Sequence, residues 1–213
     1  MLDAIPLRCL AWLSLALAGA GAAPALAQPA TTQQDPDWPC IQVLVPRIAS
    51  AQIWTGPPIE PVAQAWREDP AVRELALELA ARRTPLEAAQ ERIAEFAAGL
   101  EPERKDERLT ALFAGVLETI NRDRASLIAG IKRFTAKQRG LSEQIQQANA
   151  RLRELDTGTA EGQGQHAALM EERNWAIRIF DERESSLTYL CEQPVLLERR
   201  AFALARDIAA ELG

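Results

Sequence analysis

The sequence predicts an all-α protein in which two long helices fold back on each other as an antiparallel coiled-coil hairpin. Three observations predict it: a heptad pattern of apolar residues over 113–155, a glycine-rich turn after it, and a second helical pattern that runs to residue 213. We expect two short helices and the proximal parts of the long ones to form a four-helix base. The distal parts of the long helices then protrude as a two-helix stalk.

Residues 1–27 have the three parts of a secretory signal peptide. A basic residue precedes the apolar run Cys9–Ala20, and Ala25-Leu26-Ala27 supplies the small residues of a cleavage site. The run is shorter than the roughly 20 residues of a membrane-spanning helix. We therefore predict cleavage after Ala27 and a mature chain in the periplasm, or secreted, with no later membrane span. The alternative is an uncleaved amino-terminal anchor.

Composition indicates a globular protein and excludes some functions. The chain has 213 residues, of which 24 are basic and 30 acidic, and its formal net charge is −6. Such a chain is a poor candidate for nucleic-acid binding, which needs a basic surface. An apolar content of 47% is enough for a core, while 5% aromatic residues is low for a carbohydrate or aromatic-ligand pocket. Arginine is preferred to lysine, as is typical of high-GC bacteria.

Cysteine usage predicts one disulfide. Cys9 leaves with the signal peptide, so the mature chain keeps Cys40 and Cys191. In an oxidising compartment such a pair is expected to be bonded. The two are too far apart for a CxxC motif and have no histidine cluster near them, so neither a redox pair nor a metal site is predicted. The single histidine, His166, is expected to be a solvated surface residue.

Ahead of the helices, residues 28–37 predict a flexible leader and residues 38–68 an extended arm rich in tryptophan and proline. Prolines recur from Pro39 to Pro70 and forbid long helices there. The apolar residues of the arm predict that it lies on the helical core, fastened by Cys40. The alternative is an exposed aromatic patch for a partner, with Trp38 and Trp54 as candidate binding residues.

A helical domain is predicted over residues 69–213, and it begins with two short helices. Asp69-Pro70 has the pattern of an N-cap followed by proline at the first helical position, and this helix is expected to end near Arg83. Thr84-Pro85-Leu86-Glu87 matches a capping box and predicts the second start. Gly99 is placed to close the second helix.

The long helices are predicted over 102–156 and 165–213, with a turn over 157–164. Of thirteen heptad positions from Phe113 to Leu155, eleven are apolar. The two polar positions, Arg124 and Gln138, are expected to fix the register.

Two residue types can interrupt these helices. Gly115, Gly130 and Gly140 lie outside the heptad seam and are expected to weaken the first helix without changing its register. Pro194 is expected to kink or break the second helix.

The spacing also predicts where the disulfide lies. A turn centred near residue 160 places Cys191 level with about residue 130, at the junction of base and stalk. A two-helix stalk leaves much of its seam exposed, and Trp175, Ile177 and Ile179 lie on more than one face of the second helix. These three residues are candidates for binding a partner or a second copy.

No catalytic, cofactor-binding or metal-ligating residue is predicted. A hydrolytic triad needs a base, and the one histidine lies in a glycine-rich turn. Charge runs such as Glu101–Arg108 alternate in sign at helical spacing and are typical of a solvated helix face. We expect a non-catalytic adapter or scaffold of the bacterial cell envelope that acts through protein–protein interaction. The alternative is a periplasmic holdase chaperone that binds apolar clients along the stalk, and an enzyme with paired carboxylates is a third hypothesis.

Overall fold

The computed structural model describes residues 35–213, and this part of the chain is all-α, without a strand. The helices are α1 (Ser50–Ile53), α2 (Ala65–Glu68), α3 (Pro70–Ala80), α4 (Leu86–Ala98), α5 (Pro102–Glu154), α6 (Ala160–Glu184) and α7 (Leu187–Ala209), with a 3-10 turn at Glu60–Val62. The predicted signal peptide and most of the predicted leader lie outside the described residues.

The first half of α5 is the centre of the core. All nine residues from Leu109 to Leu117 are buried, whereas a surface helix buries one face. The helix is enclosed because α2, α3 and α7 pack around it and Trp54 of the arm stacks on Phe113 with ring centroids 4.1 Å apart. The two remaining short helices, α1 and α4, both pack on α7.

Gly115 allows this close packing. A Cβ atom at this position would lie 2.9 Å from the Cβ of Ala76 and 2.9 Å from Cδ2 of Trp66. Any larger residue would therefore displace α3 or the indole ring. The sequence interpretation gave Gly115 no packing role, because the heptad seam accounts for only one of the faces that α5 buries.

Asp69 caps α3 as predicted. Its carboxylate accepts hydrogen bonds from the N–H groups of Ala71 and Val72, at 3.0 and 3.2 Å. The guanidinium of Arg108 on α5 donates to the same carboxylate at 2.9 Å. One carboxylate thus accepts hydrogen bonds from the N–H groups at the start of α3 and links this helix to α5.

The Asp69→Asn variant is expected to lose the charge while keeping an N-cap acceptor. Burial opposes ionisation of Asp69, but the N–H groups and Arg108 outweigh it and hold the carboxyl pKa below its ordinary value of 3.8. Because the pKa of Asp69 is lower in the folded protein than in the unfolded chain, its ionisation stabilises the fold at pH values above 3.8. This stabilisation is lost as the pH falls below 3.8 and through the lowered pKa. We expect the variant to be less stable by about 0.5–1 kcal/mol at neutral pH. In urea unfolding, the difference in stability between wild type and variant should shrink below pH 4. A difference that stays constant down to pH 3 would contradict this account.

The predicted capping box at Thr84 is wrong. Pro85, not Thr84, occupies the N-cap position of α4, and no side chain caps this helix. The Thr84 hydroxyl instead donates to the carbonyl of Glu78 at 2.8 Å. Its hydroxyl therefore serves the end of α3, not the start of α4.

A buried arginine on α7 donates hydrogen bonds to carbonyls at the end of α3 and just after it. Arg200 donates to the carbonyls of Leu79 and Thr84, each at 2.8 Å. Helix ends leave carbonyls without intrahelical partners, and this guanidinium supplies donors. The helix stops at Ala80, three residues before the predicted end at Arg83.

The turn between the long helices is shorter than the predicted 157–164. The structure has α5 ending at Glu154 and α6 beginning at Ala160. The Thr159 hydroxyl caps α6 by accepting from the N–H of Gly162 at 3.1 Å. A Cβ at Gly162 would lie 1.8 Å from the carbonyl oxygen of Asp156. Glycine at 162 is needed for this close approach inside a helix, where the sequence pattern suggested a loop.

α7 runs through Pro194 without a break, so of the kink or break expected at this residue the break is wrong. The helical pattern is interrupted at Ser185 and Ser186, where both hydroxyls turn back to the carbonyl of Glu182. Pro194 lies inside α7 and is buried. A proline removes one helical hydrogen bond, and here its ring packs in the core.

Residues 132–184, called the distal segment below, consist of the second half of α5, the turn and α6. The Gln138 side chain donates to the carbonyl of Phe180 at 3.0 Å, and Arg173 donates to Asn149 at 3.2 Å. These pairs place Gln138 beside Phe180 and Asn149 beside Arg173. Within the distal segment only Ala148 and Gly162 are fully buried.

Candidate protein-binding surface

A disulfide fastens the arm to α7. Cys40 and Cys191 are bonded, with Cα atoms 5.6 Å apart, as the sequence predicted. The bond adjoins a small apolar cluster on α5 that includes Ile128 and Ile131. Cys191 therefore lies close to residue 130, where the spacing placed it.

Two polar side chains of α5 hold the arm beside this bond. The Asn121 amide accepts from the N–H of Ile48 at 2.8 Å and donates to its carbonyl at 3.0 Å. One turn further on, the buried Arg124 donates to the carbonyl of Val45. Burial lowers the pKa of Arg124, and Glu198, 3.6 Å away, acts in the opposite direction. Arg124 thus binds the arm in addition to lying on the predicted seam.

The chain is already fixed on α5 before the arm begins. Asp35 forms an ion pair with Lys132 at 2.6 Å, and Asp37 forms one with Arg139 at 2.5 Å. The hydrogen bond from Lys132 and that from the N–H of Asp37 lower the pKa of Asp35. The last residues of the predicted flexible leader are therefore anchored.

The two arm tryptophans considered as partner-binding residues are engaged within the fold. Trp38 is 6% exposed, and its indole N–H donates to the carbonyl of Gln42 at 2.8 Å. Trp54 is half-buried in its stack on Phe113 and donates to the carbonyl of Pro57 at 2.7 Å. The arm packs on the core, and neither ring offers an exposed aromatic patch.

The arm instead exposes aliphatic side chains over residues 41–45, called the 41–45 segment below, in which the backbone bends at Ile41 and Gln42. Ile41 is 101% exposed and Val43 is 77% exposed, and Val45 is exposed as well. Between them, Gln42 donates to the carbonyl of Cys191 at 2.5 Å and Leu44 packs on the apolar cluster. Among residues 35–213, the backbone N–H and C=O groups of Ile41 and Val43 have no hydrogen-bond partner.

Two adjoining clefts of about 550 and 740 Å³ lie between the arm and α7. They share Gln42, Val195 and Arg199, so they form one groove, called the arm–α7 groove below. Leu196 and Phe202 of α7 line it with exposed apolar surface. Sequence reasoning missed this surface, because Val43, Leu44 and Val45 are all apolar and the pattern over 41–45 therefore does not mark one outward face.

A separate exposed surface lies on α6. Trp175 is 59% exposed, and the guanidinium of Arg178 lies 5.4 Å from its ring centroid. Ile177 and Ile179 are half-buried, as is His166, which borders an open cleft on the same helix. Of the five residues proposed from sequence for partner binding, only Trp175 is largely exposed.

Neither a metal site nor a relative identifies an activity. Among residues 35–213, no group of three or more His, Cys, Asp or Glu side chains could hold a metal ion. No helix in that range combines the length and the apolarity needed to cross a membrane. No protein-family model matches the chain, and comparisons with curated proteins and with solved structures give no significant match.

Proposed function

We propose that this protein is an exported, non-catalytic adapter of the bacterial cell envelope that binds an extended apolar segment of another envelope protein. The observation that carries the proposal is the 41–45 segment itself, which presents unpaired backbone groups and outward aliphatic side chains beside the arm–α7 groove. An added strand would pair those backbone groups and cover Ile41 and Val43. Unpaired, apolar strand edges are otherwise liable to non-specific association.

The architecture of the adapter, in this proposal, is a four-helix base with a coiled-coil stalk. α3, α4, α7 and the first half of α5 form the base, and the distal segment forms the stalk. The contrast between the fully buried run Leu109–Leu117 and the half-buried distal segment supports this division. The Cys40–Cys191 bond supports export, because disulfides persist in oxidising compartments.

A holdase chaperone is the second candidate. It is favoured by the apolar seam residues of the distal segment that stay half-buried, such as Phe134, Leu141 and Ile145. A holdase would cover such residues with many unrelated clients, whereas an adapter has a defined partner.

Photo-crosslinking in living cells separates these functions. A photoreactive amino acid at Val43 is expected to give one dominant adduct, which mass spectrometry would identify as an envelope protein. The matched control is a probe at Gln64, which is exposed on the arm away from residues 41–45 and should give no such adduct. A broad set of adducts from a probe at Arg153 would favour the holdase. Absence of any foreign adduct at Val43 would contradict the adapter.

A further inference from the structure

The distal segment carries two exposed stripes of side chains, one on each helix. Both follow the alternating steps of three and four residues that keep positions on one face of a helix. The α5 stripe consists of the exposed residues Arg133, Lys137, Gln144, Gln147 and Arg151, with the half-buried Gly140 at the step between Lys137 and Gln144. The α6 stripe consists of Ala168, Glu172, Trp175, Ile179 and Glu182, of which only Ile179 is half-buried.

The two stripes lie on the same side of the helix pair. Lys137 directly precedes Gln138, which contacts α6, and Trp175 directly precedes Ala176 of the opposing seam. In an antiparallel pair, positions one residue before the contact row fall on the same side of both helices. The ion pairs of Lys132 and Arg139 with Asp35 and Asp37, just ahead of the arm, lie one residue after that row, hence on the opposite side.

The stripes have opposite charge. The α5 stripe carries three basic residues, whereas the α6 stripe carries two acidic residues and no basic residue. The wider helices follow the same trend, since residues 132–154 have six basic and two acidic residues and α6 has six acidic and three basic. Among residues 35–213, no ion pair within 4.0 Å joins α5 to α6. These charges are therefore available to another molecule.

The charges also match in height along the helices. The hydrogen-bonded pairs 138/180 and 149/173 fix which residues of α5 and α6 are level. By this register Lys137 is level with Glu182, and Arg151 is level with Glu172, each to within one residue. Trp175 lies between these levels, opposite the uncharged Gln144.

We propose that the distal segments of two copies of this chain pair face to face, so that the α5 stripe of each copy lies on the α6 stripe of the other. The two-fold axis runs along the helices, which keeps each α5 level with the second copy's α6 and makes the two segments parallel. An axis across the helices would place α5 on α5 and oppose two basic stripes. The proposal rests on the stalk of the proposed function and names its partner as a second copy, an isologous interface.

Apolar and charged groups have different parts in this interface. Exposed ion pairs add little affinity individually, so we expect Trp175 and the half-buried seam to supply most of it. The charges select the parallel orientation and the partner. Because exposed charges are screened by salt, the dimer should dissociate more readily as ionic strength rises.

Sedimentation equilibrium of the full mature chain tests the dimer. We expect the wild-type chain to be dimeric at micromolar concentration and Trp175→Ala to raise the dissociation constant at least tenfold. Lys137→Glu and Glu182→Lys should each weaken the dimer severalfold, and the double variant should recover most of the affinity. Arg122→Glu is the matched control, because it reverses an exposed charge of α5 outside the distal segment and should change nothing. A wild-type chain that stays monomeric throughout the micromolar range would overturn the proposal.

Spin labels near the turn test the orientation. With Gln163→Cys labelled, the parallel dimer brings the two labels close together. An antiparallel overlap would separate them by about 35 Å or more, the length of 23 helical residues, and would overturn the parallel arrangement. A monomer that still yields the foreign adduct at Val43 would remove this inference and leave the adapter intact. A dimer that gives no foreign adduct at Val43 would contradict the adapter and leave this inference intact.

Discussion

Replacing Cys40 and Cys191 together by serine is expected to lower the free energy of unfolding by about 5 kcal/mol. The reason is the sequence separation of 151 residues between the bonded cysteines, because a bond that closes a long loop removes much of the entropy of the unfolded chain. A typical domain has only about 5–15 kcal/mol of stability, so the variant should be marginally folded. Guanidinium unfolding followed by circular dichroism measures the difference.

The arm should nevertheless stay on α5 in this variant. Asn121 and Arg124 bind the backbone of the arm without the disulfide. We expect the folded double-serine variant to keep Trp38 shielded from fluorescence quenchers, and the wild-type protein treated with reductant should match the variant in stability. An unchanged unfolding midpoint in both would show that the bond contributes no net stability.

The second large effect is expected at Gly115. Gly115→Val should lower the free energy of unfolding by about 3 kcal/mol, because even its Cβ would lie 2.9 Å from both Ala76 and Trp66. Gly140→Ala is the matched control in the same helix, since a Cβ at that position meets no atom within 4 Å. That control should instead gain about 0.5–1 kcal/mol, because alanine is the better helix former. Thermal unfolding of both variants should therefore shift in opposite directions, and equal shifts would contradict the packing role of Gly115.

Much of the fold could be predicted because the signals were local. The start of α3 at Asp69-Pro70 depends only on adjacent residues, and the long helix α5 follows from the seven-residue repeat of apolar positions. The break at Ser185-Ser186 was missed because a proline is the stronger local signal, and only burial in the core shows that Pro194 is tolerated inside α7. The position of Gly162 inside α6 could not be predicted either, because it depends on the close approach of this residue to the carbonyl of Asp156.

The candidate binding surface was harder to predict than the fold. The sequence predicted Trp38 and Trp54 as partner-binding residues. In the structure their rings pack within the chain, and their indole N–H groups donate to backbone carbonyls of the arm. Which side of the arm faces outward is decided by Asn121 and Arg124, which lie 73 and 79 residues away from the arm residues they bind. No local pattern around Ile41 contains that information.

The long separation between the bonded cysteines also fixes an order of events during synthesis. Ribosomes add roughly 5–20 residues per second, so Cys40 exists as a free thiol for about 8–30 s before Cys191 follows 151 residues later. Asn121, Arg124 and the apolar cluster on α5 are all made within that interval, and they can hold the arm before its covalent partner exists. The bond therefore adds a link to α7, the last helix to be made, to an arm that Asn121 and Arg124 can already hold on α5.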